Sequence, residues 1–204
     1  MKFEPTKISK VINQNFSHLM PDFYEMQTEY LASLNIIYDD LDASLVGMVM
    51  TNMLYKNGTS EGNNKETISF DNFYQKDKYK LPVSSFKIKS ISAILNLPRE
   101  TVRRKKEKLI KDKIIILDKK KKIYTLNTEK IDKEILNVQI NNLSRFLSKF
   151  SIYFSRTKFF VNELSRDQIR KDLDDKFLIY LTTFLDFQIK YFSNFKKILD
   201  IESI

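Results

Sequence analysis

Eight of the residues from Leu95 to Lys113, in LNLPRETVRRKKEKLIKDK, are Lys or Arg, and their order is uneven. The three arginines, Arg99, Arg103 and Arg104, come first; Lys105, Lys106, Lys108, Lys111 and Lys113 follow. A guanidinium offers a planar fork of donors that fits a phosphate or a base edge, whereas an ammonium acts as a point charge. A second basic group, Lys119, Lys120, Lys121 and Lys122, sits between two short apolar runs. Contact with a polyanion is the chemistry these residue types do best.

The rest of the charge makes this local enrichment sharper. The chain of 204 residues has a net charge of +9. Residues 1–85 carry 8 Lys/Arg and 11 Asp/Glu, net −3, and residues 128–204 carry 13 and 11, net +2. Residues 86–127 carry 14 and 4, net +10, so the whole positive excess lies in this one segment. A general preference for lysine would have spread along the chain. Concentration in one place is an electrostatic footprint.

Other chemistries find little support. There is no Cys, which excludes disulfides, thiolate zinc sites and a cysteine nucleophile. Three Gly and four Pro are few for a sandwich, a barrel or a Gly-rich nucleotide loop. His18 is the single histidine and is read as structural. Asp39, Asp40 and Asp42 in YDDLD are read as helix caps, with no metal and no cofactor expected. No signal peptide and no membrane span are expected, which points to the cytoplasm. No convergent titratable set suggests an enzyme.

Periodicity places these residues on elements. Apolar spacing predicts helices over Asp22–Tyr38, after Pro21, and Asp39–Lys56, ended by Asn57-Gly58. Residues 65–85 are expected to be irregular, with Phe70, Phe73 and Tyr74 packed back on the domain. A helix from about Lys87 breaks at Asn96–Pro98, a second runs from Arg99 to about Asp112, and Ile114–Leu117 with Ile123–Leu126 form a hairpin. Long helices follow from Thr128-Glu129, and the last segment, about 167–199, contains FLIYLTTFLDFQIKYFSNF, apolar on nearly every side. Such a helix must be buried, and a partner subunit would do it. Four blocks result: N-terminal helices in 1–56 contributing to core and dimer, a linker in 57–85, the basic unit in 86–127, and dimerising helices in 128–204.

Helix, short break, helix and hairpin are together the order of a winged helix-turn-helix. Ile91, Leu95, Leu97, Val102 and Leu109 would pack its two helices. The side opposite Val102 and Leu109 carries Arg103, Arg104, Lys108 and Lys111. IKSISAILNLPRETVRRKKEKLIKDKII resembles the Crp/Fnr-type winged helix-turn-helix. Ile91, Leu95, Leu97, Arg99, Glu100, Thr101, Val102, Arg104, Leu109, Ile114 and Ile115 fall in register over about a seventh of the chain. The resemblance implies that Arg99, Glu100 and Arg104 read bases and Thr101 meets a phosphate, with Arg103 as an added contact. Asn96 stands where that family has Gly, Pro98 replaces Ser/Thr, and Lys113 replaces the Gly that ends the recognition helix. Lys105 and Lys106 stand where it keeps apolar residues, so at least one should face the core. No β-roll precedes the segment; the helical layout instead resembles MarR-type regulators, whose terminal helices dimerise.

The expectation is a mainly α protein: a winged helix-turn-helix with a small β-hairpin wing, flanked by N- and C-terminal helices that form a dimerisation region. It would bind double-stranded DNA as a homodimer and regulate transcription. Helix 99–112 would enter the major groove, with Arg99, Glu100, Arg103 and Arg104 doing most of the sequence reading, and Lys119–Lys122 would hold flanking phosphates or the minor groove. Alternatives are a plasmid or phage replication initiator on the same fold, or a winged-helix protein-interaction module. Whether a small-molecule effector exists is left open.

Overall fold

The computed structural model of the chain describes residues 5–38, 40–58, 68–74, 85–157 and 162–199. Among these it is mainly helical, with one two-stranded antiparallel sheet. The chain divides into two compact units, each drawn from two separated stretches: residues 1–33 with 133–174, and 34–132 with 175–204. Neither coincides with one of the four consecutive blocks that composition suggests. Most of the predicted linker, residues 59–67 and 75–84, lies outside the described residues.

The first unit holds α1 (Pro5–Gln14), most of α2 (Phe16–Tyr38), α7 (Lys133–Ser155) and α8 (Arg166–Asp175). α2 begins before Pro21 rather than after it. Leu19, fully buried, already shares the face of Met26 and Tyr30, and that burial offsets the hydrogen bond proline removes. α2 and α7 run antiparallel, because their polar pairs step in opposite directions. Asp22 meets Lys149, Glu25 meets Arg145 at 2.9 Å, Glu29 accepts from Asn142, and Ser33 Oγ accepts from Gln139 at 3.0 Å. Four polar pairs over about three turns set one register, since a slip would strand buried amides such as Gln139 and Asn142. Arg170 of α8 donates to Asn137 Oδ1 at 2.7 Å and Asn141 Oδ1 at 2.6 Å, which ties α8 to α7.

The second unit is built around α3 (Leu41–Gly58). Residues 43–52 of this helix are buried without a break, and it packs on the helices Ile88–Leu95, Arg99–Lys111 and Phe177–Leu199 and on the strand Ile123–Leu126. α4 (Phe70–Phe73) is a single turn capped by Ser69, in a stretch read from sequence as irregular. Its Phe70 and Phe73 are buried and meet the ring of Phe177 edge-on at 5.1 and 5.0 Å. The C-terminal segment is not one helix but two, α8 and α9 (Phe177–Leu199), parted at Lys176. The polar run Asp174-Asp175-Lys176 separates Leu173, buried in the first unit, from Phe177 and Leu178, buried in the second. α9 buries Phe177, Leu178, Leu185, Ile189 and Phe192. Its apolar surface is thus divided between a buried arc and exposed Phe187 and Phe195.

Candidate nucleic-acid interface

All the basic positions singled out above lie in the second unit. α5 (Ile88–Leu95) stops because Asn96 turns left-handed, at φ 52° and ψ 42°. Asparagine adopts this conformation more readily than most residues, which accounts for its place where glycine is usual. The Asn96 and Leu97 amides both donate to the Ser92 carbonyl, and the Ser92 hydroxyl donates to the Leu97 carbonyl at 2.6 Å. Pro98 then precedes the first residue of α6 (Arg99–Lys111), where a missing N–H costs nothing.

The end of α6 closes in a Schellman motif. The Lys113 amide donates to Ile110 and the Ile114 amide to Leu109, at 3.1 and 3.0 Å, while Ile114 and Leu109 are both buried. Lys113 carries the left-handed turn at φ 58°, a conformation that costs an L-residue roughly 1–2 kcal/mol. Lys113→Gly should therefore raise stability by about 0.5–1 kcal/mol once the entropy of glycine is subtracted. A urea-denaturation midpoint above that of the parent checks this.

β1 (Ile115–Asp118) pairs with β2 (Ile123–Leu126), Asp118 opposite Ile123, which leaves Lys119–Lys122 as the connecting loop. The loop lacks Gly or Asn, yet Asp118 Oδ1 accepts from the Lys120 and Lys121 amides at 2.9 and 3.0 Å. Lys122 takes the positive φ of 53°. All four lysines are exposed at the tip.

Around α6, Val102 and Leu109 are buried, while Arg99, Glu100, Arg103, Arg104, Glu107 and Lys111 are exposed. At about 100° per residue, Glu100, Arg104, Glu107 and Lys111 share the side farthest from the core, with Arg103 and Lys108 on its two flanks. Thr101 is half-buried, and Arg104 makes no ion pair among the described residues. Glu107 adds a second carboxylate to the outward face, one that the motif alone does not single out. Arg103 is engaged by both: Nε and Nη2 donate to Glu100 at 2.9 and 2.5 Å, and Nη1 to Glu107 at 2.5 Å. The hydrogen bonds from Arg103, helped by its charge and that of Arg104, hold the Glu100 carboxyl below its ordinary range.

Lys105 and Lys106, half-buried on the inner flanks, have defined partners. Lys105 Nζ donates to Asp40 Oδ2 at 2.8 Å, and Asp40 Oδ1 accepts from the Ala43 amide at 2.8 Å. Asp40 is thus a helix cap, as expected, and also the counter-charge for a lysine on α6. Lys106 lies over the Tyr124 ring of β2, 4.6 Å from its centroid, and Tyr124 meets Phe86 edge-on at 5.0 Å. Lysine stems cover the core margin while each ammonium finds an anion or an aromatic face. Lys108 donates to Asp112 at 2.9 Å and to the Tyr38 carbonyl at 3.4 Å, so part of its charge is committed inside the fold. Asp40 lies outside the basic segment, 65 positions from Lys105, while Tyr124, 18 positions from Lys106, is brought beneath that lysine by the hairpin.

Partial burial raises the Asp40 carboxyl, but the hydrogen bonds from Lys105 and Ala43 and the charges of Lys105 and Lys108 outweigh it and hold it low. A group depressed on folding adds stability that is full above its unfolded value, about pH 4, and is lost as pH falls through the folded one. Asp40→Asn, which keeps a capping oxygen, should cost roughly 1 kcal/mol at pH 7. That difference should shrink as the pH is lowered toward 3 in paired denaturation curves.

Elsewhere, His18 is exposed and stacks on Tyr153, ring centroids 6.1 Å apart. Among the described residues no group of three or more His, Cys, Asp or Glu could hold a metal ion; Asp39 lies outside them. Among the same residues no helix is long and apolar enough to cross a membrane. No family model, curated protein or solved structure matches the chain.

Proposed function

We propose that this chain is a sequence-specific double-stranded DNA-binding protein that acts as a homodimer to regulate transcription. In this reading residues 86–127 form a winged helix-turn-helix. α6 enters the major groove with Arg99, Glu100 and Arg104 toward the base edges, and the Lys119–Lys122 loop lies on flanking phosphates. The observation that carries it is the pairing, within one unit, of an exposed Arg-bearing helix face with a hairpin tip of four exposed lysines, where the chain keeps all its excess positive charge. A phosphate-bound loop positions the protein and a helix with forked donors can discriminate bases, so the two parts divide the work. The homodimer part of the proposal rests on the aromatic residues Phe187 and Phe195 left exposed on α9.

A salt titration tests the reading. The chain should bind duplex DNA with an affinity that falls steeply with salt. Replacing Lys119, Lys120, Lys121 and Lys122 with alanine should flatten the log–log slope by about one unit for each phosphate no longer neutralised, while the preferred sequence stays the same. Binding that ignores salt would remove DNA from consideration and leave the protein-interaction module.

A further inference from the structure

We infer that Arg103 is a positioning residue for Glu100 rather than a reader of bases, and that Glu107 holds Arg103 in that role. The inference rests on the DNA reading above and assigns the specificity of one base pair within it. Arg103 sits on the flank of α6 and reaches toward the outward face, where its fork meets both oxygens of Glu100. A carboxylate held by two parallel N–H···O bonds has a fixed plane, and its remaining lone pairs point to one place. Unpaired, a three-torsion glutamate at an exposed helix position samples many rotamers.

Glu107 engages Nη1 from the next turn of the same helix. The guanidinium is therefore held from two sides, one along the helix in each direction. Were Arg103 to swing out to a guanine, Glu100 and Glu107 would lose the hydrogen bonds that hold them on the groove-facing side of a polyanion. The pairing removes that cost. A glutamate oriented in the major groove accepts from cytosine N4, and it rejects bases that present an acceptor there. The low proton affinity of Glu100 is consistent with this use, since an ionised carboxylate is acceptor-only. Arg99 and Arg104 then remain the arginine readers.

Selection of bound duplexes from a random pool, run in parallel with the parent, Glu100→Gln, Arg103→Ala, Glu107→Gln and the Glu100→Gln/Arg103→Ala pair, tests the assignment. The three altered positions are exposed on one helix, so the variants should fold. The expected result is that Glu100→Gln and Arg103→Ala relax the same base pair, each by about tenfold, with the double variant no more relaxed than Glu100→Gln alone. Glu107→Gln should relax that pair less. If Arg103→Ala relaxes a base pair that Glu100→Gln leaves intact, or leaves the motif unchanged, the positioning role is wrong while DNA binding stands. If the parent enriches no motif, the DNA reading fails and this assignment falls with it.

Discussion

Replacing Arg104 with alanine should weaken binding to a selected duplex by about 1–3 kcal/mol, roughly 5- to 150-fold, and should relax preference at one base pair. Arg104 is the arginine on the side of α6 farthest from Val102 and Leu109, exposed and without an ion pair among the described residues. In the proposed pose it meets guanine O6 and N7 with its full fork and breaks no internal pair to do so. Arg103 differs, because three of its donors are already used. Lys111 shares the outward face but brings a point charge, so its loss should lower affinity uniformly across sequences. Arg104→Lys should recover the salt dependence and little of the discrimination. Anisotropy titrations against the selected duplex and its single-base variants, at one salt concentration, measure both effects. If Arg104→Ala bound every variant like the parent, α6 would not be the reading helix.

Gly47→Val should destabilise the second unit by about 3 kcal/mol, enough to shift a denaturation midpoint strongly. Gly47 lies in α3, and a side-chain carbon there would fall 2.5 Å from Tyr38 Cε1 and 2.8 Å from Cζ. Tyr38 is 5% exposed, so its ring has nowhere to go without disturbing the packing around it. The effect reaches the basic helix α6: the Tyr38 carbonyl accepts from Lys108, and Asp40, two residues on, holds Lys105. Shortening the ring should relieve the clash, so the loss in Gly47→Ala should be smaller in a Tyr38→Leu background than in the parent. Urea curves for the four chains give the coupling. Equal losses in both backgrounds would show that the close approach is not what excludes a side chain.

Local signals are legible in the sequence because each is written in adjacent residues. Asn96 and Pro98 mark a turn whichever fold surrounds them, and the runs Ile114–Leu117 and Ile123–Leu126 predict the observed hairpin within a residue. α4 and the start of α2 are not legible because tertiary burial decides them: the rings of Phe70 and Phe73 are held by Phe177, more than 100 positions away. The break at Lys176 is hidden for the same reason. The polar run Asp174-Asp175-Lys176 is visible in the sequence, but a short polar run does not say that Leu173 and Phe177 serve two separate cores.

The sequence by itself determined the helical content, the helix–turn–helix–hairpin order, and the concentration of positive charge in residues 86–127. These depend on short-range periodicity, turn chemistry and composition, which need no distant partner. Only the tertiary structure decided how that charge is used. Lys105 goes to Asp40, Lys106 to Tyr124, and Arg103 to Glu100 and Glu107, while Arg104 keeps its exposed fork. Charge is additive along a chain, but pairing is a matter of distance and burial. A basic residue becomes a counter-ion, a covering stem or an outward-facing donor only when folding sets what lies within a few ångströms of it.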